Sequence, residues 1–477
     1  MSVAHVSLLN MTTTENTTTI VVREPLDPTP EQVLVLKRYA NASRASFNFA
    51  YGLKHEAQQR WVRGRDRLLS KGLGREEANR RAPKVLVPRG SDVQRIFLAV
   101  REQPLAGPLR EGESEHRRMF RWWAGVNAIV CQQAFRDADT AFANWRSSGR
   151  RAGEGVGYPR PKRVGRCRDS FRMTSVRLVG TDLRHVRIGG EKDPAGQRAL
   201  IVRLHRPGRR LARAMARGGV VKMVTVAREG SQWWASFNVR IVLPPPAQPS
   251  RRQREAGTVG VDLGVAVFAA TSEPVLTAAG KEQLFDNPRH LDNARRQLHK
   301  WQRRMARRHV KGLPVHRQSA GWREARDQVA HLMGLVAQRR ASTQHLLTKQ
   351  LVTQFEHVAL EDLRVKNMTR TARGTVEAPG RNVAAKAGLN RAILDVGFGE
   401  IRRQIEYKAK WHGVTVTAVN PAYTSQTCHR CGHVDRKSRR TRSVFECTRC
   451  GHVTHADIGA AHNIKHRALA PDANDAR

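Results

Sequence analysis

Seven residues of this chain could carry chemistry by type and spacing. Four are cysteines set as two C-x-x-C pairs: Cys428 with Cys431, and Cys447 with Cys450. Each pair puts two thiolates on one tight turn, with Gly432 and Gly451 following where the backbone must bend. Fifteen residues, 432 to 446, separate the pairs, a spacing found in two-knuckle ribbons. The pattern reads as a structural site for one zinc ion. The metal would supply much of the folding energy of a segment with almost no apolar core. A redox dithiol, or two unrelated pairs, is the competing reading.

The other three are acids. In GTVGVDLGVAVFAATS, residues 257–272, an apolar strand carries the single acid Asp262; Gly264 and a second apolar strand follow. A carboxylate inside such a strand is costly unless something uses it. Taken alone, Asp262 reads equally well as a turn or cap residue. FEHVALEDLRVKNM gives a strand ending at Glu361 and Asp362, and pattern does not decide which of the two faces a site. Asp457 comes seven residues after Cys450, in the first turn of a short helix expected at 456–468. The helix dipole would hold it ionised there.

The elements around these acids are what give them a joint meaning. From Val259 the order is strand, strand, strand, helices, strand, helix, strand, ribbon, helix. The long basic helices fall at 289–350, a further helix at 386–412 and a strand at 413–420. Without the ribbon this is the element order of the RNase H fold. That fold collects acids from its first strand, fourth strand and last helix, the places of Asp262, Glu361 and Asp457. Three converging carboxylates repel one another, and two magnesium ions would resolve the repulsion. Such ions serve phosphodiester hydrolysis.

The rest of the chain points to a polyanionic partner. Across 477 residues, 85 Lys and Arg face 41 Asp and Glu, a net charge of +44. Basic residues occur in nearly every segment, which argues for nucleic acid running through the whole body. His429, His433, His452 and His455 are then expected at the surface or against nucleic acid, since four thiolates already close a tetrahedral site. Cys131 and Cys167 are left as free thiols, which fits a reducing cytoplasm. No run of 18 apolar residues exists, so no membrane span is expected. The first residues lack the basic-then-apolar pattern of a signal peptide and read as a disordered lead-in.

Toward the amino terminus, TTTIVVREPLD, 17–27, reads as a first strand. Thr29, Pro30 and Gln32 then mark a helix start with a capping box, and Val33, Leu36, Ala40, Phe47 and Ala50 share one face. Further helical stretches run to about Arg150; the last, 116–146, carries Trp122, Trp123, Phe135, Phe142 and Trp145. After the basic stretch GYPRPKRVGRCRDSFRM, short strands at 173–179, 185–188, 199–205, 220–227 and 232–242 suggest a small barrel, with Trp233 and Trp234 at its core and rim. LPPPAQPSRRQREAG, 243–257, has the composition of a linker.

With these stretches in view, the chain resembles the TnpB family of transposon-associated nucleases and their relatives, the compact type V CRISPR effectors. The resemblance is carried by VGVDLGV at 259–265, LEDLRVKNM at 360–368, YTSQTCHRCGHV at 423–434 and FECTRCGHVTHADIGAAHNI at 445–464. PTPEQ at 28–32, GYPRPK at 157–162 and QIEYKAKWHG at 404–413 add weaker matches, in family order over 20–467. The family has an Asn two residues past the last acid, where this chain has Gly459.

The resemblance implies a multidomain α+β protein. A β-barrel wedge domain, 17–28 and 151–243, would hold an inserted helical recognition domain, 29–150. A linker, 244–257, would lead to a RuvC-like nuclease domain, 258–422 and 454–468, with a zinc ribbon inserted at 423–453. Residues 1–16 and 469–477 would be disordered ends. It also implies an RNA-guided DNA endonuclease with Asp262, Glu361 and Asp457 as catalytic magnesium ligands. Its partners would be a guide RNA and double-stranded target DNA beside a short flanking motif, and it would work as a monomer or homodimer. Two other classes compete. A guided DNA-binding repressor would be expected to have lost an acid, and all three are present. A protein-only transposase would be expected to read DNA with a separate module, whereas here the ribbon interrupts the acids.

Overall fold

The computed structural model describes residues 17–101, 126–148, 156–192, 198–242, 248–375 and 377–469. Trp122, Trp123, the lead-in 1–16 and the tail from 470 lie outside them. The chain divides into two compact units, one of Met1–Leu243 with Val310–Arg323, the other of Pro244–His309 with Glu324–Arg477.

In the first unit, strand β1 (Thr17–Asp27) is followed by helices α1 (Pro30–Ser70), α2 (Arg75–Arg81), α3 (Gly90–Arg101) and α4 (Ala128–Ser147). Then come β2 (Ser170–Met173), β3 (Val176–Val179), β4 (His185–Lys192), β5 (Arg198–Leu204), α5 (Arg209–Ala216), β6 (Val220–Glu229) and β7 (Gln232–Val242). The entry to α1 is the expected capping box. Gln32 N–H donates to the Thr29 hydroxyl at 3.3 Å, the Thr29 N–H donates to the Gln32 side chain at 3.1 Å, and Pro30 opens the first turn.

The strands form a seven-stranded sheet in the order β2-β6-β7-β1-β5-β4-β3. Its outer strands, β2 and β3, are separated in sequence only by Thr174 and Ser175. Seven strands laid flat would put those edges about 29 Å apart, far more than two residues can span, so the sheet must curl. Among the described residues no ladder joins β2 to β3, and the expected closed barrel is an open, curled sheet. The helices do not keep a core of their own. Leu36, Phe47 and Phe135 pack in one apolar cluster with Val22, Phe171, Val224, Trp233 and Phe237 of the sheet. Trp233 is buried, while Trp234 lies under the Arg23 guanidinium at 4.4 Å.

The second unit begins with a correction to the linker. Ser250 and Gln253 form a second capping box, which starts the short helix α6 (Arg251–Ala256). The buried Gln253 side chain donates to the Val352 carbonyl at 3.0 Å, tying this turn to the unit. After it come β8 (Thr258–Leu263), β9 (Val267–Thr277), β10 (Gly280–Asp286), α7 (His290–Arg307), α8 (Ala320–Gln354), β11 (His357–Glu361) and the single turn α9 (Val365–Met368). The rest is α10 (Val383–Val396), α11 (Phe398–His412), β12 (Thr415–Val419), the hairpin β13 (Val444–Glu446) and β14 (Val453–His455), and α12 (Ala456–Leu469).

The main sheet has the order β10-β9-β8-β11-β12. β8 runs antiparallel to β9 and parallel to β11, which is parallel to β12. The helix expected at 386–412 is two helices broken at Gly397, whose φ is +75°. A side chain there would also strike the Gln344 amide at 2.6 Å. The break puts Leu394 out in solvent, while Phe398, Ile401 and Ile405 stay buried.

Candidate functional site

Three elements of the second unit bring their acids to one cleft. Asp262 lies on β8, Glu361 is the last residue of β11 beside it, and Asp457 sits in the first turn of α12. α12 can come that close because Gly260, two residues before Asp262, has no side chain. A Cβ there would lie 2.0 Å from the Ala461 carbonyl of the helix. The three acids line a cleft of about 310 Å³ together with Gly264, Val265, Pro421, Thr424, Arg439 and Arg442.

Asp362, the neighbour that pattern could not exclude, points elsewhere. Its carboxylate is exposed and pairs with Arg402. Glu361 faces the cleft and accepts a hydrogen bond of 2.6 Å from the Thr424 hydroxyl. Asp457 pairs with Arg439 at 3.3 Å. Among the described residues, the three acids do not form a group whose ligand oxygens all lie within 4.8 Å of one another.

The electrostatics are those of a site waiting for positive charge. Burial, then repulsion from Glu361 and Asp457, pushes the Asp262 carboxyl up to about 8, although Arg439 pulls the other way. Burial also raises Glu361, against the Thr424 hydrogen bond and the positive charge of Arg467. An unfolded chain would ionise Asp262 near 3.8. Between those pH values the folded state keeps a proton that the unfolded state has lost. Its contribution to stability therefore falls as pH rises through that window. Without added divalent cation, Asp262→Asn is expected to stabilise the fold by on the order of 2 kcal/mol at pH 8 and by little at pH 4. Melting curves of both proteins at the two pH values check this; a gap that does not widen with pH contradicts it.

The four cysteines converge as well. Their sulfur atoms all lie within 4.8 Å of one another, with Cys428 3.7 Å from Cys450 and Cys431 3.6 Å from Cys447. The two knuckles repeat one geometry. Cys428 N–H donates to the His433 carbonyl and Cys447 N–H to that of His452, at 2.8 and 2.9 Å. Gly432 and Gly451 take φ of +72° and +67°. Burial works to raise the Cys447 thiol, but backbone N–H groups of Cys450 and Arg449 and the neighbouring thiols outweigh it and bring it to about 6. A thiol that ionises this readily suits a metal ligand.

His429 and His452, expected at the surface or against nucleic acid, are half-buried. They pack edge to face at 4.7 Å, and His429 stacks on His462 of α12 at 4.7 Å. Alternation and spacing also missed Thr424, Arg439 and Arg442. In a chain with 85 basic residues, two ribbon arginines carry no signal of their own.

Two family models match the chain: "Cas12f1-like, TNB domain" over 398–464 and "Probable transposase" (OrfB_IS605) over 219–372. A protein named "Putative RNA-guided DNA endonuclease InsQ", from Escherichia coli K12, is 30% identical over 419 residues, 88% of this chain and 90% of that one. The chain belongs to the TnpB family. To this TnpB-family chain, a Cas12f1 endodeoxyribonuclease of Syntrophomonas palmitatica is 35% identical over 74 residues, 16% of this chain and 15% of that one. Among solved structures, a Cas12f1–sgRNA–target DNA complex is similar with a TM-score of 0.43 and 12% identity, covering 94% of this chain and 99% of that one. The CRISPR-Cas_phi3 endonuclease gives 0.39 and 12%, covering 96% and 93%.

Proposed function

We propose that this TnpB-family chain is an RNA-guided DNA endonuclease whose nuclease centre is Asp262, Glu361 and Asp457. The observation that carries the reading is the cleft shared by those three carboxylates, in a sheet of order β10-β9-β8-β11-β12 closed by α12. That order, with acids from the first strand, the fourth strand and the last helix, supports a RuvC-like domain at 258–422 and 454–468. Family membership supports the guide RNA and a DNA target, because the printed name of InsQ gives both; that the target is double-stranded rests on the family resemblance alone. The remaining domain assignments, wedge and helical recognition, rest on the same resemblance. The chain would act in the cytoplasm; among the described residues no helix is long and apolar enough to cross a membrane.

The residues fit magnesium. The donor set is all carboxylate, and Glu361 and Asp457 raise the affinity of Asp262 for positive charge. Asp262, Glu361 and Asp457 would hold the ions. Bound magnesium would activate a water and stabilise the leaving oxygen of the scissile phosphodiester. The chain's own part is to let α12 approach β8 through Gly260 and to hold Glu361 through Thr424. Arg439, paired with Asp457, and Arg442 also line the cleft, where they would meet a DNA phosphate. The cysteines fit zinc by donor type, number and closeness, and the ribbon they close would be a structural one.

The test is to purify the protein with its native locus co-expressed and sequence the RNA that comes with it. A fixed scaffold ending in a variable 3′ segment is expected, and that complex should cut double-stranded DNA matching the segment. Repeat-spacer sequence would place the protein among the CRISPR effectors. Random cellular fragments, with cleavage that needs no RNA, would overturn the guided reading.

A further inference from the structure

The loop between β12 and the first knuckle is held to α12 at four carbonyls. Arg467 donates to those of Asn420 and Ala422, both at 2.7 Å. The buried Asn463 amide donates to those of Thr424 at 2.8 Å and Thr427 at 2.7 Å. Cys428 follows directly. Within the loop, Tyr423 adopts φ of +61°, a conformation that costs a residue with a Cβ about 1 kcal/mol or more. Its ring is left exposed, while Thr424, the next residue, is turned inward and buried. The Thr424 hydroxyl has one acceptor of catalytic interest, the Glu361 carboxylate at 2.6 Å, and a weaker contact with the Pro421 carbonyl at 3.1 Å. A strained backbone, a buried amide clamp and a short hydroxyl–carboxylate bond thus converge on a single side chain.

We propose that Thr424 is a positioning residue of the nuclease centre: its hydroxyl fixes the Glu361 carboxylate toward the cleft, and Asn463 fixes Thr424. The inference rests on the nuclease reading and extends it. It makes the segment leading into the cysteine ribbon part of the apparatus that orders Glu361. It also separates two roles of threonine that sequence cannot distinguish, filling space and donating a hydrogen bond. Valine keeps the volume and removes the donor; serine keeps the donor and removes a methyl group.

The experiment compares the RNA-bound wild type with Thr424→Val, Thr424→Ser and Asn463→Ala. Binding of Mn²⁺ is read by electron paramagnetic resonance, cleavage under single-turnover conditions, and zinc content and melting temperature as controls. Thr424→Val is expected to weaken Mn²⁺ binding and slow cleavage by about tenfold each, as loss of one charge-assisted hydrogen bond would. Thr424→Ser should stay within about twofold of wild type. Zinc content and melting should not move in either. Asn463→Ala should weaken Mn²⁺ binding in the same direction, through the loop. Thr424→Val binding Mn²⁺ like wild type would overturn the proposal, and so would Thr424→Ser proving as defective as Thr424→Val. A wild type that binds Mn²⁺ but does not cut DNA would remove the nuclease reading, while the Mn²⁺ comparison would still decide this one.

Discussion

Replacing Asp262 by alanine is expected to slow DNA cleavage by at least about 10³-fold while leaving guide and target binding within a few-fold of wild type. The size follows from its place. Asp262 lines the cleft, and burial followed by repulsion from Glu361 and Asp457 raises its carboxyl, so a cation beside it would relieve that repulsion. Its loss would remove a proposed ligand and leave the basic surface of the protein untouched. Single-turnover cleavage and a filter-binding assay on the same preparations separate the two effects. A variant that cuts within about tenfold of wild type would falsify the assignment. The neighbours at the end of β11 give a built-in control. Glu361→Gln should approach the loss seen for Asp262→Ala. Asp362→Asn should cost little, because that carboxylate is exposed and paired with Arg402.

The second large effect concerns the ribbon. Purified protein is expected to contain about one zinc per chain, and Cys447→Ser to lose it. Cleavage should then fall by about 100-fold while the first unit still melts as in wild type. The buried apolar cluster of the ribbon is Cys428, Phe445, Cys447 and Ala456, far too little to hold a fold of this length. Without metal, the four sulfur atoms lose the ion that justifies their closeness. The loss reaches the nuclease cleft because Arg439 and Arg442 belong to the ribbon and Thr424 stands four residues before Cys428. Elemental analysis of undenatured, unchelated protein checks the first part. Finding no zinc there, together with full activity, would show that the cysteines serve another purpose.

Sequence makes legible what local pattern controls. The apolar run around Asp262 and the strand ending at Glu361 are short-range features, and so are the capping box at Thr29 and the C-x-x-C turns. A second capping box, at Ser250 and Gln253, was equally local, yet the prolines before it made the segment look like a linker. Contacts that join distant stretches left no such trace. Nothing near Gly397 announces that Gln344 occupies the space beside it, so one long helix was expected where two exist. Thr424 and Glu361 are 63 positions apart, and a threonine in a polar loop has no periodicity to betray its burial. The stacking of His429 on His462 joins the ribbon to α12 across 33 positions and leaves no local pattern either.

Gly260 has a consequence in time. Chain synthesis delivers Asp262 first and Glu361 next, and Asp457 only 195 positions after Asp262. Until α12 seats on the gap left by Gly260, a nascent chain holds two acids and no closed cleft. The strands that carry those two acids pair in parallel across nearly a hundred residues, a slow kind of assembly. Cutting competence therefore arrives late and all at once.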